Sequence, residues 1–326
     1  MPLSAPSFWS KKPGTSLRAK LLSPLGSAYH REVQRRLETR QPAEIDCPVV
    51  CVGNATMGGV GKTPFVAWLN EELIKTGRSP IILTRGYGGR EEGPLVVADT
   101  ARAEDVGDEP LLLARNAMVV VAKDRAAGAR FAAEAGADPI LMDDGLQNPS
   151  LRKDCSLLLI DGEAWFGNEE VFPAGPLREK PEAAAARCDA IVLIGETSDR
   201  TEERVKPLAQ GKPVFRARFE MDEADLPSGP VVAFCGIGRP ERFERSLCDA
   251  GVNLSEFVAF PDHHFLSERD LRSLRRTAEA ANAMLVTTQK DFARLRTEDH
   301  EGITPVGGTI SVAEPAELLR LIEEKL

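Results

Sequence analysis

Gly53-Asn54-Ala55-Thr56-Met57-Gly58-Gly59-Val60-Gly61-Lys62-Thr63 decides the fold of this 326-residue chain. A β-branched run over residues 48–53 precedes the glycines. A helical pattern over residues 64–76 follows them, with Phe65, Leu69 and Leu73 on one face and Gly77 as its stop. Strand, glycine loop and helix in that order is the context of a phosphate-binding loop, in which backbone N–H groups and a helix N-terminus surround phosphate oxygens. Thr56, Met57, Gly58, Gly59, Val60, Gly61, Lys62 and Thr63 are therefore expected to bind ATP, with Lys62 reaching the β- and γ-phosphates and the Thr63 hydroxyl reaching Mg²⁺. Thr56 stands where the general G-x-x-x-x-G-K-[ST] pattern has its first glycine. A glycine turn without any ligand is the plainer alternative.

Outward from the loop, short apolar runs at residues 80–84, 118–122, 139–142, 156–161 and 190–194 alternate with helical patterns. Strands spaced by helices imply βαβ units, hence an α/β fold with a P-loop NTPase-like parallel sheet and helices on both faces. The pattern is lost among charges over residues 211–225. A second α/β series then follows, with strands at 231–235, 256–260 and 284–288 and helices after Pro240, over 268–282 and over 315–325. The expected division is an N-terminal arm at 1–45, a kinase-like domain at 46–225 and a second, smaller α/β lobe at 226–326.

The net charge of −9 tells against a nucleic-acid partner, because a phosphate footprint needs a basic surface. The charge is unevenly spread: residues 1–40 hold eight Lys and Arg against Glu32 and Glu38, so the arm is +6 and the remainder −15. Within the arm, Leu17, Leu21, Leu25, Tyr29, Val33 and Leu37 recur every fourth residue, a near-helical stripe that Pro24 and Gly26 are expected to break into two pieces. Either the stripe packs on the body or a basic amphipathic helix lies on an anionic membrane surface; Phe8 and Trp9 favour the second. The six cysteines form no CxxC pair and read as buried thiols. No secretory signal or spanning run is visible, which points to the cytoplasm and to peripheral attachment.

A magnesium site needs a carboxylate at the end of a neighbouring strand, and Pro139-Ile140-Leu141-Met142-Asp143-Asp144-Gly145 resembles a Walker-B strand. On a continuing strand Asp143 and Asp144 point to opposite sides, so one would hold the metal and the other act through water or orient the substrate. Asp-Gly as a simple turn is the alternative. Thr84-Arg85-Gly86-Tyr87-Gly88-Gly89 follows the second strand, where Arg85 is placed to meet a phosphate. In Gly107-Asp108-Glu109-Pro110 the aspartate reads as a helix N-cap when taken alone. Phe260-Pro261-Asp262-His263-His264-Phe265 sets a carboxylate beside two histidines, as acid–base chemistry requires.

Taken together, these segments resemble the tetraacyldisaccharide 4′-kinase family, the lipid A 4′-kinases. Phe172-Pro173-Ala174-Gly175-Pro176-Leu177-Arg178-Glu179, Phe234-Cys235-Gly236-Ile237-Gly238-Arg239-Pro240 and Thr287-Thr288-Gln289-Lys290-Asp291 complete the match. Gln289 departs from the glutamate expected in many relatives, and the family carries Ser or Thr at the place of Thr56. The resemblance implies transfer of the ATP γ-phosphate to the 4′-hydroxyl of tetraacyldisaccharide 1-phosphate, forming lipid IVA at the cytoplasmic face of the inner membrane. It further implies Asp108 as catalytic base with His263 as its partner, Lys62, Thr63, Asp143 and Asp144 handling ATP and Mg²⁺, and Arg85, Tyr87 and Gln147 meeting the lipid disaccharide. No protein partner is implied. The rival is a membrane-associated switch ATPase of the MinD/ParA kind, whose K-G-G-x-G-K-T loop is similar; the lysine those proteins need before the glycines is Met57 here.

Overall fold

The computed structural model describes residues 5–222, 226–262 and 264–326. After α1 (Leu17–Thr39) the first lobe runs β1 (Val49–Asn54), α2 (Lys62–Lys75), β2 (Ile81–Thr84), β3 (Leu95–Val96), α3 (Ala103–Val106), α4 (Asp108–Leu113), β4 (Val119–Val121), α5 (Arg125–Glu134) and β5 (Ile140–Asp143). It continues through β6 (Cys155–Asp161), α6 (Pro181–Ala186), β7 (Ala190–Ile194), α7 (Asp199–Ala209) and β8 (Val214–Met221). The second lobe holds β9 (Pro230–Cys235), α8 (Pro240–Asp249), β10 (Asn253–Ala259), α9 (Glu268–Ala280), β11 (Met284–Thr288), α10 (Gln289–Phe292) and β12 (Ile303–Val306). The chain ends with β13 (Gly308–Val312) and α11 (Pro315–Glu323).

Nine strands form the large sheet in the order β13-β8-β7-β6-β1-β5-β2-β4-β3, parallel except for β3 on β4 and β13 on β8. β1 lies centrally between β5 and β6, with helices on both faces. Burial on both faces explains the continuous apolar runs: Val49 and Cys51 enter one core while Val50 and Val52 enter the other. The second lobe is a four-stranded parallel sheet, β10-β9-β11-β12, built in the same way. Val231, Ala233 and Cys235 face one side with Phe243 and Leu247 of α8; Val232 and Phe234 face the other with Leu271 and Leu274 of α9.

Three expectations need correction. First, the second lobe does not run to residue 326: β13 pairs antiparallel with β8, and Ile310, Val312, Leu318 and Ile322 bury in the same core as Phe65 and Leu69. A serial α/β pattern carries no sign that the chain crosses back. Second, the segment read as a patternless boundary contains β8, whose Phe215 and Ala217 are buried between outward Arg216 and Arg218. Third, α1 is one helix. Pro24 lies on its exposed side, where water can satisfy the carbonyl whose N–H partner is missing, and Gly26 is a contact point, since a Cβ there would come within 2.6 Å of the Val171 carbonyl oxygen. Phe8 is buried, and Trp9 packs edge-on to Phe172 and donates to the Pro173 carbonyl, so these aromatics anchor the arm to the body.

Candidate active site

The phosphate loop sits where β1 hands over to α2, at the carboxyl edge of the parallel sheet. Gly58 (φ 122°) and Gly61 (φ 88°) hold backbone conformations that residues with a Cβ rarely adopt, and space is open around Gly58 and Gly59. Buried Asn54 explains Thr56, because its amide donates to both the carbonyl and the hydroxyl of Thr56 at 3.0 Å, a contact glycine could make only in part. The Asn54 side-chain oxygen in turn accepts from Lys62 Nζ at 3.1 Å. From outside, the loop is pinned by the Pro176–Arg178 stretch: Met57 N–H donates to the Pro176 carbonyl and Arg178 N–H to that of Ala55, both at 2.7 Å.

Strand β5 ends at Asp143, and Asp144 turns into the left-handed region (φ 53°), so the expected alternation along a continuing strand does not apply. The two carboxylates nevertheless diverge in environment. Asp143 is buried, its Oδ1 has no hydrogen-bond partner, and burial reinforced by Glu109 and Asp144 pushes its pKa up to about 7. For Asp144 burial also works against the charge, but Lys62 at 3.8 Å and Arg178 at 2.7 Å outweigh it and hold the carboxyl below its ordinary range. Behind them Arg125 is buried at the start of α5, and burial lowers its pKa to about 10.

Asp108 begins α4, in a loop packed against the Arg85 segment: a Cβ on Gly107 would lie 2.5 Å from the Tyr87 carbonyl oxygen, and one on Gly86 2.8 Å from that of Val106. It is not the helix N-cap that it reads as in isolation: Gly107 holds that position and no side chain caps the helix. The buried carboxylate meets the second lobe through Arg294, whose Nε donates to it at 2.8 Å and whose Nη2 also contacts it, with Lys290 Nζ 3.8 Å away. Lys290 pairs with Glu109 at 3.0 Å. Arg294 is braced by Asp291, which accepts the Gly236 N–H and the Thr288 hydroxyl. The motifs at Gly236 and at residues 287–291 thus converge on Asp108. His263 lies outside the described residues. His264 is turned to its own lobe, stacked on Phe260 and 3.3 Å from Asp270.

Beside the loop a cavity of about 340 Å³ is lined by Tyr29, Val33 and Arg36 of α1 with Met57, Arg85, Gln147 and Arg178. Arg85 and Tyr87 are exposed. Gln147 belongs partly to the frame: its amide donates to the Asn54 carbonyl and to Glu179, a fully buried carboxylate that also accepts from Arg187 and from Gln34 of α1. In the sequence Glu109, Arg178, Glu179 and Lys290 stand out only as pieces of motifs, and Arg294 does not stand out at all. A Thr288 N-cap bonded to the Asp291 N–H, with lysine between them and arginine one turn on, is the local signal that marks the second-lobe set.

A loop for nucleotide phosphates, a carboxylate pair at the adjacent strand end and a buried aspartate reached from a second lobe define a P-loop phosphotransferase. Comparison with known proteins makes the class particular. Residues 18–326 match the family described as tetraacyldisaccharide-1-P 4′-kinase, and the chain belongs to that family. Tetraacyldisaccharide 4′-kinases of Bradyrhizobium diazoefficiens and Rhodospirillum centenum are 44% and 45% identical to it, each over 98% of this chain and 96% of the relative. The crystal structure of LpxK from Aquifex aeolicus in complex with ATP superposes with a TM-score of 0.74 at 28% identity, covering 95% of this chain and 99% of that one. The kinase reading therefore stands over the switch ATPase.

Proposed function

We propose that the chain binds ATP in the loop at residues 56–63 and transfers its γ-phosphate to the 4′-hydroxyl of tetraacyldisaccharide 1-phosphate from the cytoplasmic face of the inner membrane. The observation that carries this reading is that Lys62, 3.8 Å from Asp144, and Glu109, the neighbour of Asp108, both act on the charge of Asp143, while Met57 of the loop and Arg178 line a cavity walled by α1. Lys62 and the backbone of residues 58–61 hold the phosphates. The donor set fits Mg²⁺: Asp143 offers an oxygen without a protein partner, and Thr63 a hydroxyl at the first turn of α2. Magnesium, held there, would supply positive charge against the phosphates. Asp144, held by Lys62 and Arg178, orients the lysine. Asp108 accepts the proton of the attacking hydroxyl as the new O–P bond forms, with His263 as its proposed partner.

The acceptor is amphiphilic, and α1 matches it in two halves. Leu17, Leu21 and Leu25 are 72%, 71% and 59% exposed beside Arg18 and Lys20, whereas Tyr29 and Val33, further along the same slowly winding row, line the cavity. Acyl chains lying with the leucines in a bilayer would bring a phosphorylated sugar to Arg36, Arg85 and Arg178. No helix among the described residues is long and apolar enough to cross a membrane, which fits interfacial docking. Radiolabelled ATP with and without the lipid acceptor tests the proposal. Label on the lipid supports it; phosphate release indifferent to acceptor supports a switch, and neither outcome leaves only a binding module.

A further inference from the structure

We infer that Lys290 is a second phosphate-binding lysine of the reaction, supplied by the second lobe, whose ammonium exchanges the carboxylate of Glu109 for the phosphoryl group in transit. The inference rests on the site reading above. Lys290 lies on α10 with its Nζ 3.0 Å from Glu109 and 3.8 Å from Asp108. Burial works against its charge, but the carboxylates of Glu109 and then Asp108 outweigh this and raise its pKa, so the ammonium is a fixed cation. Lys290 thus stands beside the carboxylate proposed as the base and belongs to the second lobe, whereas Lys62 opens α2 in the first.

A latch between the lobes is the competing account, and the geometry gives that task to Arg294. Its side chain is 3% exposed, doubly engaged with Asp108, and braced by Asp291 and the Gly236 carbonyl. Lys290 is 23% exposed, stands beyond hydrogen-bond distance of Asp108 at 3.8 Å, and has its one close contact with Glu109 at 3.0 Å among its described ion pairs. Its mount is nonetheless rigid. Thr288 caps α10, the Thr287 hydroxyl donates to the Phe234 carbonyl, and Asp291 is buried on the Gly236 N–H. A cation on a firm base, facing an acid-lined site from the lobe opposite the phosphate loop, suits transfer chemistry. As the 4′-oxygen bonds to the γ-phosphorus and the bond to the β–γ bridging oxygen breaks, ADP leaves, the hydroxyl proton passes to Asp108, and charge on the transferred group's oxygens is countered from both sides.

The experiment compares Lys290→Met, Lys290→Arg, Glu109→Gln and the double variant Glu109→Gln/Lys290→Met in the full-length protein, with Lys62→Ala as reference. Lys290→Met is expected to lower kcat on the order of 100-fold, to leave the KM for the lipid unchanged, and to abolish any preference for fluorescent ATP over fluorescent ADP in binding measured without acceptor. The double variant should stay as slow as Lys290→Met. If Glu109→Gln instead restores turnover, Lys290 serves only to neutralise Glu109 and the inference is overturned. Lys290→Arg keeps a phosphate-binding cation and guards against a misfolded methionine variant; its turnover should lie well above that of Lys290→Met, and an arginine variant that folds but is as slow as the methionine one overturns the inference. Inactive Lys62→Ala beside fully active Lys290→Met removes Lys290 alone, whereas active Lys62→Ala removes the site reading and this inference with it.

Discussion

Asp143→Asn tests whether the protein stores an electrostatic penalty at the end of β5. The carboxyl is buried, its Oδ1 has no partner, and it titrates near 7 against an ordinary aspartate value of 3.8. Glu109 and Asp144 face it and raise the pKa, while Lys62 and Arg125 oppose them. Because the folded pKa lies above the unfolded one, the folded state binds more protons between about pH 4 and pH 7, and stability falls as pH rises through that window. Roughly three pH units correspond to about 4 kcal/mol at the upper limit, and local relaxation would leave about half. The assay is thermal unfolding in EDTA at pH 5.5 and pH 8 for both proteins, since the difference between them cancels the other titrating groups. Asn keeps the volume and loses the charge. The variant should gain on wild type at pH 8 by a margin clearly larger than at pH 5.5, and with ATP and Mg²⁺ added the ranking should reverse, because only the carboxylate is a strong ligand for the ion. A variant-minus-wild-type difference in Tm that is the same at both pH values refutes the argument.

Replacing Leu17, Leu21 and Leu25 together by Ser should release the protein from anionic vesicles with little change in Tm, because all three side chains are exposed; retained co-sedimentation would assign docking elsewhere. Glu179→Ala removes a fully buried carboxylate from Arg187, Gln34 and Gln147, so unfolding free energy should drop by about 3 kcal/mol in denaturant titrations. Asp108→Ala and His263→Ala should each reduce kcat by roughly 100-fold or more, and the double variant should be little worse than the poorer single. Rate losses that multiply would separate the two residues.

Legibility followed burial. Central strands such as β1, β5 and β6 are apolar on both faces, so their runs stand out, and β7 was placed at residues 190–194 as observed. Strand β8 escaped because Arg216, Arg218 and Glu220 occupy its exposed face near the sheet edge. The return of β13 and α11 to the first core is a long-range fact with no local mark. Of the candidate site, Lys62 and Asp143 stand out because each belongs to a short motif, whereas Asp108 taken alone reads as a helix cap and is singled out only by the family resemblance. Arg294 does not stand out: its meaning lies in reaching Asp108, 186 residues earlier in the chain, and one arginine in a polar stretch carries no pattern. Pro24 and Gly26 misled for a different reason. Both are helix breakers by intrinsic preference, yet one faces water and the other the Val171 carbonyl, where tertiary contact overrides preference.

The candidate site is arranged as carboxylates and cations that hold one another: Asp144 with Lys62 and Arg178, Glu109 with Lys290, Asp108 with Arg294. ATP bound as proposed would bring more negative charge into this space and would enter by exchange, drawing cations from carboxylates already present, so that the released acids would need a metal ion or a substrate proton. Asp143 shows the imbalance, since Glu109 and Asp144, the acids that act on it most, are themselves paired while its own Oδ1 has no hydrogen-bond partner. The same logic sets apart the two cations of the second lobe. Arg294, buried and held at several points, would need to break a network to move. Lys290, with one close partner, can change it while the lobes stay joined through Arg294.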